Sequence, residues 1–320
     1  MAVYTKITDK ELAKFLENYN ISQVISFQGI AEGVENTNYL IKTQESSYIL
    51  TIYEKRVKSS DLPFFLGLMD HLASSNFPCP IPIHTKKGEI LSFIANKPAA
   101  LISFINGKII DHPNENHCYQ IGESIANLHI TCKDFAKKRE NSLLFDGWKK
   151  LIESCSERHS KISVDLEKKI HAEYDFLSES WPTILPTGVI HADLFTDNAF
   201  FTNDKLSGII DFYFACNDFF AYDIAICINA WCFNNNIQFN IKNSESLING
   251  YQKIRKLTQE EKQYMPILFR GAAFRFFLTR LYDLNNYKKG AFVKPKDPME
   301  FWKILSYHQL PKNPKEYGFE

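Results

Sequence analysis

Residues 189–198 read Val-Ile-His-Ala-Asp-Leu-Phe-Thr-Asp-Asn, and residues 208–212 read Gly-Ile-Ile-Asp-Phe. Short apolar runs thus enclose a polar loop that carries a carboxylate at Asp193, an amide at Asn198 and a second carboxylate at Asp211, at the exit of the next apolar run. Runs this short and apolar read as strands, and a strand delivers its terminal side chain to a defined place. The segment therefore demands a strand-loop-strand unit seated on a large apolar body. The chain can supply one: it has 320 residues, 45% of them hydrophobic, with 26 Phe and 15 Tyr.

Charge and cysteine content narrow the setting. Lys+Arg and Asp+Glu both number 37, so no net field draws the chain to nucleic acid or to an anionic membrane. The seven cysteines form no CxxC pair, which points away from a zinc knuckle or disulfide framework and towards reduced, buried thiols in the cytoplasm. The N-terminus is charged rather than apolar, so no signal peptide is expected. The most apolar stretches, Ile209–Phe220 and Ile224–Phe233, are interrupted by polar residues and are too short to span a bilayer.

Along the chain, Thr8-Asp9-Lys10-Glu11 is a capping box that opens a short amphipathic helix. Strands are expected at Val24–Phe27, Thr37–Thr43, Ser47–Tyr53, Ile90–Ile94 and Ala100–Phe104, with a helix over Asp61–Leu72 and an extended Pro78–Pro82 segment. Helices follow at His117–His129, Asp146–Glu157 and Asp165–Trp181, then the central polar loop, then helical sequence to about residue 285. The fold class is α+β: an antiparallel-sheet lobe over residues 1–105 and a mostly helical lobe over 106–320.

The central loop carries the groups phosphoryl transfer needs. Asp193 is placed to accept the proton of an attacking hydroxyl, while Asn198 and Asp211 offer hard oxygen donors for Mg²⁺. His191 belongs to the same catalytic set and reads as a brace for the loop ahead of a second base. Asp223 opens an apolar helix and reads as its cap, with bracing of the loop as a second role.

With these residues in view, HADLFTDNAFF and GIIDFYFACNDFFAYDIAI resemble the aminoglycoside and choline kinase superfamily, whose two-lobed fold is that of the protein kinases. The phrases GIAEGVENTNYLI, YILTIYEKR, DLPFFLGLMDHL, FPCPIP and KPAALISFINGK are similar to the bacterial homoserine kinases built on that fold. The resemblance implies ATP and Mg²⁺ as cofactors and L-homoserine as substrate, with other small alcohols or amines, choline or an aminoglycoside, as the alternative. It implies that Gly33 and Asn36 line the phosphates, unless that segment is a plain turn. It places the backbone around Ile102, Ser103 and Phe104 against the adenine edge. The kinase lysine position is occupied by Thr51, so Lys55 either reaches the cleft from the strand end or sits in a solvated turn; Asp61 and Asp70 are the only acidic candidates for its helix partner. For the acceptor, Arg275 among phenylalanines suits a substrate carboxylate or a structural ion pair, with Arg270 as the other candidate. The arginines at 270, 275 and 280 are each rotated by roughly 140° from the last, so they do not share one pocket.

Overall fold

A computed structural model describes residues 5–30, 36–54, 57–156, 164–287, 294–310 and 313–319. The chain opens with α1 (Asp9–Leu16), whose capping box forms as the sequence predicts: Thr8 Oγ1 accepts from the Glu11 amide at 3.2 Å, and the Glu11 carboxylate accepts from the Thr8 amide at 2.8 Å. Leu12, Phe15 and Leu16 then face the sheet. That sheet comprises β1 (Val24–Gly29), β2 (Thr37–Thr43), β3 (Ser47–Ile52), β4 (Ser92–Ile94) and β5 (Lys97–Ser103), paired antiparallel in the order β1-β2-β3-β5-β4. Ile41, Leu50 and Leu101 fill the core beneath α1. The proline segment is extended, as its locked φ values require. It lies along the upper end of β5, where Ser103 donates to the Ile81 carbonyl at 2.8 Å and Ile83 to that of Leu101 at 2.8 Å.

Helix α2 (Leu62–Ser74) packs on the other side of the sheet. Its buried Phe65, Leu68 and Leu72 belong to the same hydrophobic core as the helical lobe, so a single core runs across the two lobes. The chain crosses between them after β5. Gly107, at φ 140, lies so close to the 200–208 hairpin that a Cβ there would meet Ser207 Oγ at 2.6 Å and the Phe201 carbonyl at 2.9 Å. Ser207 Oγ donates to the Asn106 carbonyl at 2.6 Å, and Lys108 and Phe201 exchange backbone bonds at 2.9 Å each.

The helical lobe contains α3 (Glu115–Thr131), α4 (Phe145–Ser156), α5 (Val164–Ser180), α6 (Phe220–Trp231), α7 (Ile241–Ile254), α8 (Gln259–Asn285) and α9 (Pro298–His308). Set among these helices are the short strands β6 (Thr187–Ile190), β7 (Ala199–Thr202), β8 (Lys205–Ile209) and β9 (Cys216–Phe219), with β6 paired to β9 and β7 to β8. Strand β9 and helix α9 are additions to the sequence reading. In Cys-Asn-Asp-Phe no alternation signals a strand; its partner β6 makes it one. Helix α6 is buried along nearly its whole length, with Tyr222, Ile224, Ala225 and Ile228 fully enclosed, and forms the pedestal of the lobe. All seven cysteines are buried, and no helix among the described residues is long and apolar enough to cross a membrane.

Helices α3 and α7 approach closely because glycines face backbone across the contact. A Cβ on Gly122 would collide with the Leu247 carbonyl, and one on Gly250 with that of Tyr119. Backbone cannot swing aside as a side chain can. Gly122→Ala is expected to destabilise the chain by about 1–3 kcal/mol, read from urea denaturation midpoints; an unchanged midpoint would show that the two helices slide apart without cost.

Candidate active site

Strand β6 ends at Ile190, opposite Cys216 of β9, and delivers His191 and the loop that follows into the buried base of the cleft. The loop is pinned at nearly every residue. The fully buried Asp223, in the first turn of α6, accepts from the amide of His191 at 2.9 Å and of Ala192 at 2.8 Å. His129 Nε2 bonds the same carboxylate at 3.1 Å, and its Nδ1 meets the Tyr251 hydroxyl at 2.8 Å. Arg275 Nη1 donates to the Ala192 carbonyl, and Trp231 Nε1 to that of Leu194 at 2.9 Å. These bonds hold Ala192 at φ 63, a left-handed conformation that costs a non-glycine residue roughly 1–2 kcal/mol.

His191 serves as the brace the sequence suggests. The Asp193 amide donates to its Nδ1 at 3.2 Å, which leaves Nε2 to donate to the Ile210 carbonyl at 3.0 Å. It thereby ties the start of the loop to the residue before Asp211, and its ring lies 4.8 Å from that of Phe212. Both ring nitrogens are engaged and the residue is fully buried, so its side chain supports the loop instead of exchanging protons in the cleft.

The β7–β8 hairpin brings Asn198 and Asp211 together. Its register pairs Ala199 with Ile209, and the Ile210 amide donates to the Asn198 carbonyl at 2.9 Å. Asn198 Nδ2 donates to the Asp193 carbonyl at 2.8 Å and lies 3.4 Å from Asp193 Oδ2. Its nitrogen is thus committed, and Oδ1 is the atom it has to offer a cation. Asp211 is left-handed, at φ 64 and ψ 62, a turn that separates it from β8 and starts a new direction of chain. One amide oxygen and one carboxylate suit a hard divalent cation that takes its remaining ligands from phosphate and water. No cluster of three or more His, Cys, Asp or Glu able to hold a metal alone occurs among the described residues.

The upper wall departs more from expectation. Gly33 and Lys55 lie outside the described residues. Asn36 is buried, and its Oδ1 accepts from the Glu54 amide at 3.3 Å, closing the end of the β2–β3 pair. Thr51 is buried and donates to Asn38 Oδ1 at 2.9 Å, filling the kinase lysine position with a neutral cross-strand bond. Asp61 and Asp70 pair instead with Arg139 and His84, at 2.9 and 2.8 Å. In the lobe crossing, the Ser103 amide is spent on Ile81 and the Phe104 amide on Ser47, at 3.2 Å. Those two amides are taken by neighbouring segments, so an adenine contact of the backbone around Ile102, Ser103 and Phe104 does not run through them. Ile102 sits within β5, paired to Ile49.

The three arginines of α8 go to three elements, as their rotation requires. Arg270 forms a two-pronged pair with Glu173 of α5, at 2.9 and 2.6 Å, and is thereby removed from the acceptor. Arg280 pairs with Glu300 of α9 at 2.6 Å. Arg275 is 1% exposed, lies 4.6 Å from the centre of the Phe276 ring and reaches the Ala192 carbonyl. The expected substrate clamp is a loop anchor, because burial leaves no open face for a carboxylate. His129 and Trp231 escaped the sequence reading: a histidine and a tryptophan on apolar helices look like core until their partners are known.

Burial, the largest influence, holds His129 and His191 below the ordinary histidine range despite the nearby Asp223 carboxylate. Burial pushes the Asp223 carboxyl up, but its bonds from His129 and its neighbours outweigh this and bring it below the usual carboxylate range. Below about pH 6.5 the unfolded histidines take up protons that the folded ones refuse, so stability falls as pH falls; Asp223 adds a further loss in the acid carboxylate range. Urea midpoints are expected to stay level from about pH 8 to 7 and to fall below about 6.5. A midpoint that rises on acidification through this window would contradict the buried neutral imidazoles.

Comparison with known proteins places this geometry. Residues 26–257 match the model of the phosphotransferase enzyme family. The homoserine kinase of Agrobacterium fabrum is 49% identical over 318 residues, covering 99% of this chain and 99% of that protein. The homoserine kinase of Parvibaculum lavamentivorans is 49% identical over 320 residues, covering the whole of both. Among solved structures, an amicoumacin kinase in complex with AMP-PNP and Ca²⁺ superposes with a TM-score of 0.72 at 15% identity, over 98% of this chain and 93% of that one. Choline kinase from Cryptosporidium parvum gives 0.70 at 14%, over 96% of each chain. The solved structures share the two-lobed kinase fold, the curated relatives share half the residues from end to end, and the chain belongs to the homoserine kinases of the phosphotransferase enzyme family.

Proposed function

We propose that the chain transfers the γ-phosphoryl group of ATP to the side-chain hydroxyl of L-homoserine. The observation that carries this reading is the end-to-end identity of 49% to relatives named homoserine kinase, over the same residues that build the pinned loop. Asp193 accepts the hydroxyl proton as the oxygen attacks phosphorus. Its carboxylate is oriented by the loop, and Asn198, bonded to its carbonyl at 2.8 Å, keeps base and metal site in fixed relation. Asn198 Oδ1 and Asp211 would hold Mg²⁺, and the ion would supply neutralisation of charge on the phosphates. The base is thus supplied by the loop after β6 and the metal ligands by the two ends of the β7–β8 hairpin. The ATP phosphates would lie between these groups and the end of β2, where Asn36 stands; Lys55, just beyond β3, is the nearest cation in sequence to the position Thr51 leaves neutral.

Coupled measurement of ATP consumption against L-homoserine, L-serine, choline and an aminoglycoside tests the substrate. Turnover with L-homoserine far above the others is expected, and preference for choline or the aminoglycoside would overturn the reading. Asp193→Asn keeps the shape but cannot accept the proton, so kcat is expected to fall by about 10²–10⁴ while nucleotide affinity and thermal midpoint hold. An equal loss of nucleotide affinity would reassign Asp193. Asn198→Ala is expected to raise the Mg²⁺ concentration for half-maximal rate, with partial recovery at high Mg²⁺ as water replaces the lost ligand; an unchanged Mg²⁺ requirement would remove Asn198 from the metal site.

A further inference from the structure

Among the described residues, no lysine-glutamate pair of the kind by which protein kinases hold the helix of the upper lobe against the phosphate site joins β3 to α2. Thr51 is bonded to Asn38, while Asp61 before α2 and Asp70 within it pair with Arg139 and His84. Yet α2 is firmly held, and from the other lobe. Residues 131–141, from the last residue of α3 towards α4, run along it as a strap. His71 Nε2 meets the Thr131 carbonyl at 2.9 Å, the Phe135 ring lies 5.6 Å from Phe64 and 5.4 Å from His71, and Lys137 Nζ donates to the Pro63 carbonyl at 2.9 Å.

Arg139 is where this strap reaches the site. Its Nε donates to Asp61, at the start of α2, at 2.9 Å, and its guanidinium lies 4.9 Å from the centre of the Phe65 ring. Its Nη1 donates to the Ala215 carbonyl at 3.1 Å, four residues beyond Asp211. Its backbone is fixed in turn: the Arg139 amide donates to Asn217 Oδ1 at 2.9 Å, and the Asn217 amide to the Arg139 carbonyl at 2.6 Å. Between Asp211 and Ala215 stands Tyr213, edge-on to Phe65 and to Tyr53 at 5.7 and 5.6 Å, with its hydroxyl 3.1 Å from that of Tyr53. One guanidinium therefore touches α2 on one side and the turn after Asp211 on the other, and aromatic contacts close the circuit through the end of β3.

We infer that Arg139 is a positioning residue for phosphoryl transfer: it locks α2 and the turn that carries Asp211 into one arrangement, the task a strand lysine performs elsewhere. The inference rests on the proposed function, in which Asp211 holds the metal. A planar fork with three donor nitrogens suits this role, since it bonds a carboxylate and a carbonyl at once; an ammonium of lysine has no such fixed geometry.

The test compares Arg139→Met, Arg139→Lys, Asp61→Asn and the Arg139→Met/Asp61→Asn pair. The readouts are Mg²⁺-dependent affinity for a non-hydrolysable ATP analogue by calorimetry, kcat, KM for L-homoserine, and thermal midpoint. Arg139→Met is expected to weaken Mg²⁺-nucleotide binding and to lower kcat about tenfold or more, with KM for homoserine changed by less than about twofold. Arg139→Lys is expected to fall between parent and Arg139→Met, and the double variant to be no worse than Arg139→Met within about twofold, because the two residues act as one contact. Loss of thermal midpoint with nucleotide affinity and kcat unchanged would overturn the inference and leave the strap purely structural. Losses that multiply in the double variant would also overturn it. If Arg139→Met does not fold, Arg139→Lys and Asp61→Asn decide by the same readouts. If the parent fails to phosphorylate homoserine, the proposed function falls, while the nucleotide-binding arm still decides the role of Arg139.

Discussion

The buried carboxylate of Asp223 is the constraint on which the site depends. A charge with no solvent contact is tolerable only when its hydrogen-bonding capacity is filled. Here two amides of the loop after β6 and the imidazole of His129 fill it. The donors cannot leave without exposing an unpaired charge to an apolar interior, so the loop is held rigid by the cost of its own displacement. This is what sustains the left-handed Ala192, and Ala192 turns the chain so that its carbonyl meets Arg275 while Asp193 stays half-buried. Because α6 is enclosed along its length, the carboxylate sits on an element that cannot shift.

From that fixed loop the remaining groups are placed by short backbone links. His191 ties its beginning to Ile210, and Asn198 ties its end to the same residue through the Ile210 amide. The hairpin is joined to the lobe crossing by Ser207 and Gly107, which couples the sheet to the strands that flank Asn198 and Asp211. On the opposite side, the strap of residues 131–141 links α2 to the strand that follows Asp211. The upper lobe is thus gripped from two sides by elements of the lower one, which explains how the sheet can dispense with a charged residue at Thr51. A neutral threonine paired to Asn38 stabilises the β2–β3 ladder and places no charge at that strand position.

Much of this was legible in the sequence. The capping box at Thr8, the strands around Gln44–Ser46, the extended prolines and the strand-loop-strand unit are local signals: each depends on φ preferences, side-chain period or a hydrogen bond spanning three residues, and such terms act within a few positions of the chain. The spacing of Asp193, Asn198 and Asp211 is legible for the same reason, since a loop and a hairpin of fixed length bring them together. The rotation of the arginines on α8 likewise follows from helix pitch, and it separates Arg270, Arg275 and Arg280 as observed.

What the sequence could not specify was the identity of partners across long separations. Asp223 reads first as a helix cap, because its own helix is the nearest set of amides, and as a brace of the loop second; the packing of α6 under β6 makes the brace the role it fills, with donors 31 and 32 residues away. Arg275 reads as a ligand for an anion because a charge among phenylalanines needs one, and the tertiary fold supplies a backbone carbonyl 83 residues distant instead. Strand β9 exists because β6 is beside it, and the Ser103 and Phe104 amides are withheld from the cleft because Ile81 and Ser47 accept them. Local pattern by itself therefore determined the elements and the chemical groups at their ends. Tertiary packing decided which of those groups are consumed in holding the structure and which face the opening, since a buried donor or charge takes the best partner within reach in space, wherever that partner lies in the chain.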